Sequence, residues 1–307
     1  MPVERLRDVG RVVLGTDDLG CVQSATITLD SEILRARCGA AISERYQGIT
    51  GLTVEAVIEA LDPFIVGLHP GSTGSLSIFI PGTLTTTGVP EDGVDIFIVA
   101  GTLVSKAMRF ERNSLATATW TIRGFSPVGD CPIAIFDAAI PDPATGAGPS
   151  DFIRDIGDFT FSGGSGTILA DDFCPESFEA TEGSELIEDS CQGELWPSYV
   201  GITGLNVTAT AVGKGVKDAF EKAGTVDSCL GSKGELSFDV FVGSDDDCAS
   251  LVPGGELCIE RANITSLTIT ATHGQIATIS LTWTAHGEAG EIGDVSKRAI
   301  VGVGSEC

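Results

Sequence analysis

"GITGLTV", residues 48–54, returns as "GITGLNV", residues 201–207. Each copy heads an alternating stretch: Leu52, Val54, Ala56 and Ile58 are separated by Thr53, Glu55 and Val57, and Leu205, Val207 and Ala209 by Asn206 and Thr208. A period of two lines up one face of a strand, whereas a helix needs apolar residues three and four apart. The word therefore predicts a turn, with Gly48 and Gly51 permitting the bend and Ile49 and Leu52 beginning the buried face of a core strand.

The repetition spreads outward from that word at a constant offset of 153. Cys21 falls on Cys174, Ser31 on Ser184, Glu32 on Glu185, Cys38 on Cys191 and Tyr46 on Tyr199. Further on, "GSTGSLS" (71–77) matches "GSKGELS" (231–237), and "TWTIRG" (119–124) matches "TWTAHG" (282–287), the offset drifting as loops lengthen. A period this long is a whole domain, not a solenoid unit. Ala25, Ile27 and Leu29, then Ala118, Trp120 and Ile122, and again Ile279, Leu281 and Trp283 alternate with polar residues. The expected fold is all-β: two tandem homologous antiparallel domains of sandwich or barrel type, with Trp120 and Trp283 in the core. Helix is scarce, and "GVKDAFEKAG" (215–224), closed by Gly224, is the best candidate. The first domain is placed at 1–125, a Pro/Gly-rich linker at 126–151 and the second domain at 152–307, with hairpin tips near 85–93 and 243–256.

Composition narrows the function. Of 307 residues 43 are acidic and 18 basic, a formal net charge of -25, which repels nucleic acid instead of gripping it. The halves differ: residues 1–150 hold 17 acids and 10 bases, and 151–307 hold 26 and 8. The start, "MPVERLRDVGRVVLG", carries charges where a signal peptide would be apolar, and no apolar run is long enough to span a membrane. The expectation is a soluble chain made in the cytoplasm.

No catalytic constellation emerges. His69, His273 and His286 lie in unrelated contexts, no closely spaced Cys or His pair suits zinc, and "FSGGSGT" (161–167) lacks the lysine of a phosphate loop and reads as a turn. Asp245, Asp246 and Asp247 read as a solvated hairpin tip without the spaced ligands of a calcium loop. No catalytic residue, cofactor or metal is assigned. Of the nine cysteines, Cys21 with Cys38 and Cys174 with Cys191 recur at the same spacing. Each pair is either a disulfide, worth roughly 3 kcal/mol, or two inherited small hydrophobes left reduced. Cys307 is the candidate for an intersubunit bond. Cys131, Cys229, Cys248 and Cys258 are left unpaired by the pattern.

The stretch "VLGTDDLGCVQSATITLDSEILRARCGAAISERYQGITGLTVEAVIEALDP" (13–63) resembles the opening of tail tube proteins of long-tailed bacteriophages. The glycine turn of that family is matched by Gly15 with Gly20, its middle glycine by Gly39, and its "G-x-x-V-x-V" strand by Gly51 to Ile58. The resemblance implies the duplicated, two-domain form of a structural virion protein. Its rings, of three chains with six similar units, stack into a tube through which DNA is ejected without specific binding. It also implies as partners further copies of the chain, the tape measure, tail terminator and baseplate or distal tail proteins, and a sheath if the tail contracts. The location implied is the virion tail. Alternative readings are another virion β-protein, of the distal tail or capsid decoration, and a tandem carbohydrate-binding or adhesin module. The latter is disfavoured by the 6% aromatic content.

Overall fold

A computed structural model of the chain describes residues 9–36, 46–61, 68–82, 93–139, 153–163, 166–191, 193–224, 233–243, 251–287 and 300–301. In the first half these form β1 (Arg11–Leu14), β2 (Asp17–Asp18), β3 (Val22–Ala36), β4 (Tyr46–Ala60), β5 (Thr73–Ile80), β6 (Gly93–Glu111), β7 (Thr117–Phe125) and β8 (Ile133–Ala138). The second half gives β9 (Ile153–Gly163), β10 (Gly166–Leu169), α1 (Ala170–Phe173), β11 (Pro175–Asp189), β12 (Tyr199–Gly213) and α2 (Val216–Gly224). After these come β13 (Lys233–Gly243), β14 (Leu251–Thr270), β15 (Thr278–Ala285) and β16 (Ile300–Val301). The all-β expectation holds, every ladder is antiparallel, and α2 lies where the sequence placed a helix.

The pairing scheme of the first half recurs in the second. β3 pairs β4, β4 pairs β7, β7 pairs β6, β6 pairs β5, and β5 pairs β1, with β2 beyond β1 and β8 beside β6. β11, β12, β15, β14, β13, β9, β10 and β16 take the same places in turn. Irregularities recur too. Leu103/Ser105 on β6 and Ile264/Ser266 on β14 are bulges at matching points, as are Gly74/Leu76 and Gly234/Leu236.

The word GITGL is one of these shared bulges. Gly51 opposes Glu32 and Ile49 opposes Ile33, so Thr50 is an extra residue in an unbroken strand. Gly204 opposes Glu185 and Ile202 opposes Leu186, leaving Thr203 extra in the same way. Each threonine hydroxyl donates to the carbonyl of the opposed glutamate, Thr50 to Glu32 and Thr203 to Glu185, both at 3.4 Å. The expected turn is thus a β-bulge, which bends the strand and re-aims its side chains. Ile49 thereby stays opposite Ile33, on the side of Leu52, but this end of the ladder reaches past the core: Ile49 is 52% and Ile33 39% exposed, and the buried face begins only at Val54. The glycine turn at Gly15 and Gly20 does form, with φ of 64° and 72°.

Two further expectations change. The stretch read as a linker contains β8, which hydrogen-bonds to β6 from Ile98↔Ile133 to Gly93↔Ala138 and belongs to the first half; residues 140–150 lie outside the described residues. The two TWT words are also not equivalent. Ala56 faces Ile122 on β7, while its counterpart Ala209 faces Trp283; Ile58 faces Trp120, while its counterpart Ala211 faces Leu281. The tryptophan has moved two residues along the strand, which keeps it on the core face because the side-chain period is two.

The core is one continuous cluster running through both halves, from Val12, Leu14, Leu76 and Trp120 to Phe159, Phe178, Phe238 and Trp283. In the first half, β1, β5, β8 and the start of β6 form a second leaf over β3, β4, β7 and the end of β6. A Cβ on Gly124 of β7 would come within 2.9 Å of Ile98 and 3.2 Å of Val54. In the second half Phe159 and Phe161 of β9 pack on Trp283 with ring centroids 6.0 and 5.7 Å apart. Both tryptophans are fully buried, and neither indole N–H has an acceptor among the described residues. Their value is therefore volume and not hydrogen bonding. Trp283→Ala is expected to cost about 3–5 kcal/mol, whereas Trp283→Phe, which loses no hydrogen bond, costs under about 2 kcal/mol. Urea denaturation of the two variants measures the difference.

Candidate functional site

Among the described residues no group of three or more His, Cys, Asp or Glu side chains is placed to hold a metal. His273 and His286 are exposed. Cys174 and Cys191 are free, because they cap opposite ends of the 15-residue β11; at about 3.3 Å per residue that is roughly 50 Å, too far for a disulfide. Cys21 precedes β3 in the same way and is free and exposed, as is Cys131. The shared 17-residue spacing thus marks strand ends, and Cys174 and Cys191 are free thiols, the first half-buried and the second exposed, not buried small hydrophobes. Cys258 is disulfide-bonded. Cys38, Cys229, Cys248, Cys307 and the run Asp245 to Asp247 lie outside the described residues.

What the sequence repeat builds is a joint. β6 is 19 residues long and changes partner on both edges: β5 then β11 along one, β8 then β7 along the other. The pairing with β11 runs from Ser105↔Gly183 to Glu111↔Ser177 and welds the halves edge to edge. Hydrogen bonds extend the contact: Thr102 Oγ1 donates to the Val200 carbonyl, Ser184 Oγ to that of Val104, and the Leu52 N–H to that of Leu195, each at 2.7 Å. Arg123 Nε donates to the Glu188 carboxylate at 2.6 Å. Behind the ladder Phe110 of β6 and Phe178 of β11 meet Phe238 of β13, with centroids 5.1 and 4.2 Å from it.

Charges are buried in this joint. Glu182 of β11 is 2% exposed and stands opposite Lys106 of β6, 5% exposed. His69, 8% exposed in the turn before β5, brings Nδ1 to 2.9 Å from Glu182 Oε2 and 3.3 Å from Oε1. No sequence signal links these residues, since His69 and Glu182 are 113 positions apart. Only the partner switch of β6 brings them together.

The joint consumes one edge from each half and, among the described residues, leaves its two counterparts open. β11 corresponds to β3, which among the described residues pairs only with β4. The β11-binding segment of β6 corresponds to Ser266–Thr270 of β14, paired with β15 on one edge and with no described strand on the other. Among the described residues an unbroken ladder, β3-β4-β7-β6-β11-β12-β15-β14, therefore ends in one open edge of β3 and the open Ser266–Thr270 segment of β14. Its covered face is the core. Its other face presents Thr26, Thr119, Thr208 and Thr282 with Glu55, Glu59 and Glu179, all at least partly exposed.

No family model matches the chain, and no curated protein matches it.

Removing one buried charge should hurt more than removing both. Lys106→Met takes the cation from opposite Glu182 and is expected to cost about 3–5 kcal/mol, while Lys106→Leu with Glu182→Leu recovers most of that loss; urea midpoints decide. A second prediction concerns Asp239 of β13, whose carboxyl is pushed above its ordinary range by burial, then by Glu256 opposite it and by Asp158. A raised carboxyl value means the fold favours the neutral form. Its contribution is present in acid and lost as the pH rises through the raised value. Asp239→Asn is expected to raise Tm at pH 7 and to change it little at pH 3, as calorimetry at the two values would read.

Proposed function

We propose that this chain is the structural subunit of a hollow self-assembling tube, the major tail tube protein of a long-tailed phage. The observation that carries the reading is the eight-strand ladder whose internal joint, β6 with β11, is repeated in unmade form at its two ends, β14 and β3. Such an arrangement is a head-to-tail interface with one half of the contact at each end of the ladder. Interfaces of that kind close into rings when the rotation permits. Long open edges are a liability in a monomer and become joints in an assembly.

The size and chemistry agree with a conduit. Three such spans, at about 4.8 Å per strand and the tilt usual in barrels, close into a wall on the order of 40–50 Å across. The second leaf and α2 cover one face, so that face points outward and the threonine- and glutamate-bearing face lines the bore. A hydroxyl-rich wall on a chain of net charge -25 repels phosphate and lets DNA slide through.

Electron microscopy of the purified protein tests the reading. Rings of three chains that stack into tubes are expected; a chain that stays monomeric at high concentration and with seeding refutes it, and rings of six chains refute the threefold count.

A further inference from the structure

The internal joint predicts the register and chemistry of the joint between chains. The pairs of β6 and β11, moved to their counterparts on β14 and β3, put Ala25 opposite Ala271, Thr26 opposite Thr270, Ile27 opposite Ile269, Thr28 opposite Thr268 and Leu29 opposite Leu267. "ATITL" (25–29) is thus met by "LTITA" (267–271) running the other way, so each residue faces its own kind. Cross-strand pairs of like β-branched and aliphatic residues are favourable in antiparallel sheets. The burial pattern points to a missing partner. Met108 and Ala180 are buried in the internal joint, while Ile269, the counterpart of Met108, is 44% exposed and Ile27, the counterpart of Ala180, only half-buried. Leu29 stands 53% exposed where its counterpart Glu182 is buried.

The two joints differ at one position. Internally the pair is Glu182 and Lys106, with His69 on the carboxylate; at the ends the corresponding pair is Leu29 and Leu267. We propose that β3 of one chain pairs in this register with Ser266–Thr272 of a second copy, and that the charged pair sorts the two kinds of joint. This rests on the tube reading above. A β11 strand offered to β14 would bury Glu182 against Leu267, and a β3 strand offered to β6 would bury Lys106 against Leu29. Each mismatch strands a charge in an apolar site, which costs far more than either matched pair. Specificity of this kind works by penalising the wrong partner. The halves of different chains therefore cannot exchange, and domains alternate strictly around the ring.

Charge transplantation tests both parts, with the wild-type chain assembled in parallel and circular dichroism confirming each fold. Leu29→Glu changes an exposed side chain of the free subunit and is expected to raise the concentration needed for assembly by roughly a hundredfold or more. Adding Leu267→Lys rebuilds the internal pair in the outer joint and is expected to restore rings; adding Ile269→Lys instead, two residues out of register, is not. Wild-type rings that tolerate Leu29→Glu, or a rescue by Ile269→Lys in place of Leu267→Lys, overturn the joint while leaving the tube. A wild type that never assembles removes the tube reading itself.

Discussion

A backbone ladder has two edges, and every residue of a buried edge needs a partner for its N–H and C=O groups. In this protein that requirement is concentrated on β6, which is too long for any one neighbour and is satisfied by four strands in turn. Its Leu103/Ser105 bulge lies where one edge passes from β5 to β11. The strand thereby ties the two leaves of its own half together and joins the second half to the first. Without the pairing to β11, one edge of β6 and one of β11 would lose their partners, and with them the contacts of Glu182 with His69 and of Phe110 with Phe178.

The duplicated halves have kept the features that set parity and let the rest diverge. Bulges recur at matching points because an extra residue, once present, determines which face every later side chain occupies. The tryptophan could move two positions along its strand, since that preserves its face, and the aromatic rings of β9 have grown up beside Trp283. Corresponding edges, by contrast, have separated in chemistry: charged and aromatic residues line the β6–β11 joint, aliphatic and threonine residues the open parts of β3 and β14. A joint made once during folding can carry an ion cluster whose desolvation is offset within a single cooperative unit.

Several elements were legible from residue order alone. Period-two alternation at 52–58, 118–122 and 279–283 was enough to identify strands, because it reports which side of a pleat is dry. The helix at Val216–Gly224 was legible from its terminal glycine. The repeat was legible because aligned words need no structure. The bulge at Thr50 was not, since glycine, threonine and glycine fit a turn or a bulge equally until the opposing strand is known. The strand at Ile133–Ala138 was hidden by flanking prolines and glycines, which mark a chain break only when no neighbour offers an edge.

The sequence by itself therefore determined the class of structure, the duplication, the core tryptophans and the acidic surface, because these follow from local period, composition and self-similarity. Tertiary structure alone decided which cysteines stand apart, where the two TWT words fall in register, and that His69 meets Glu182 opposite Lys106. It also decided which strand edges are filled and which remain open. Those are relations between residues tens to more than a hundred positions apart, and they exist only once β6 has chosen its partners.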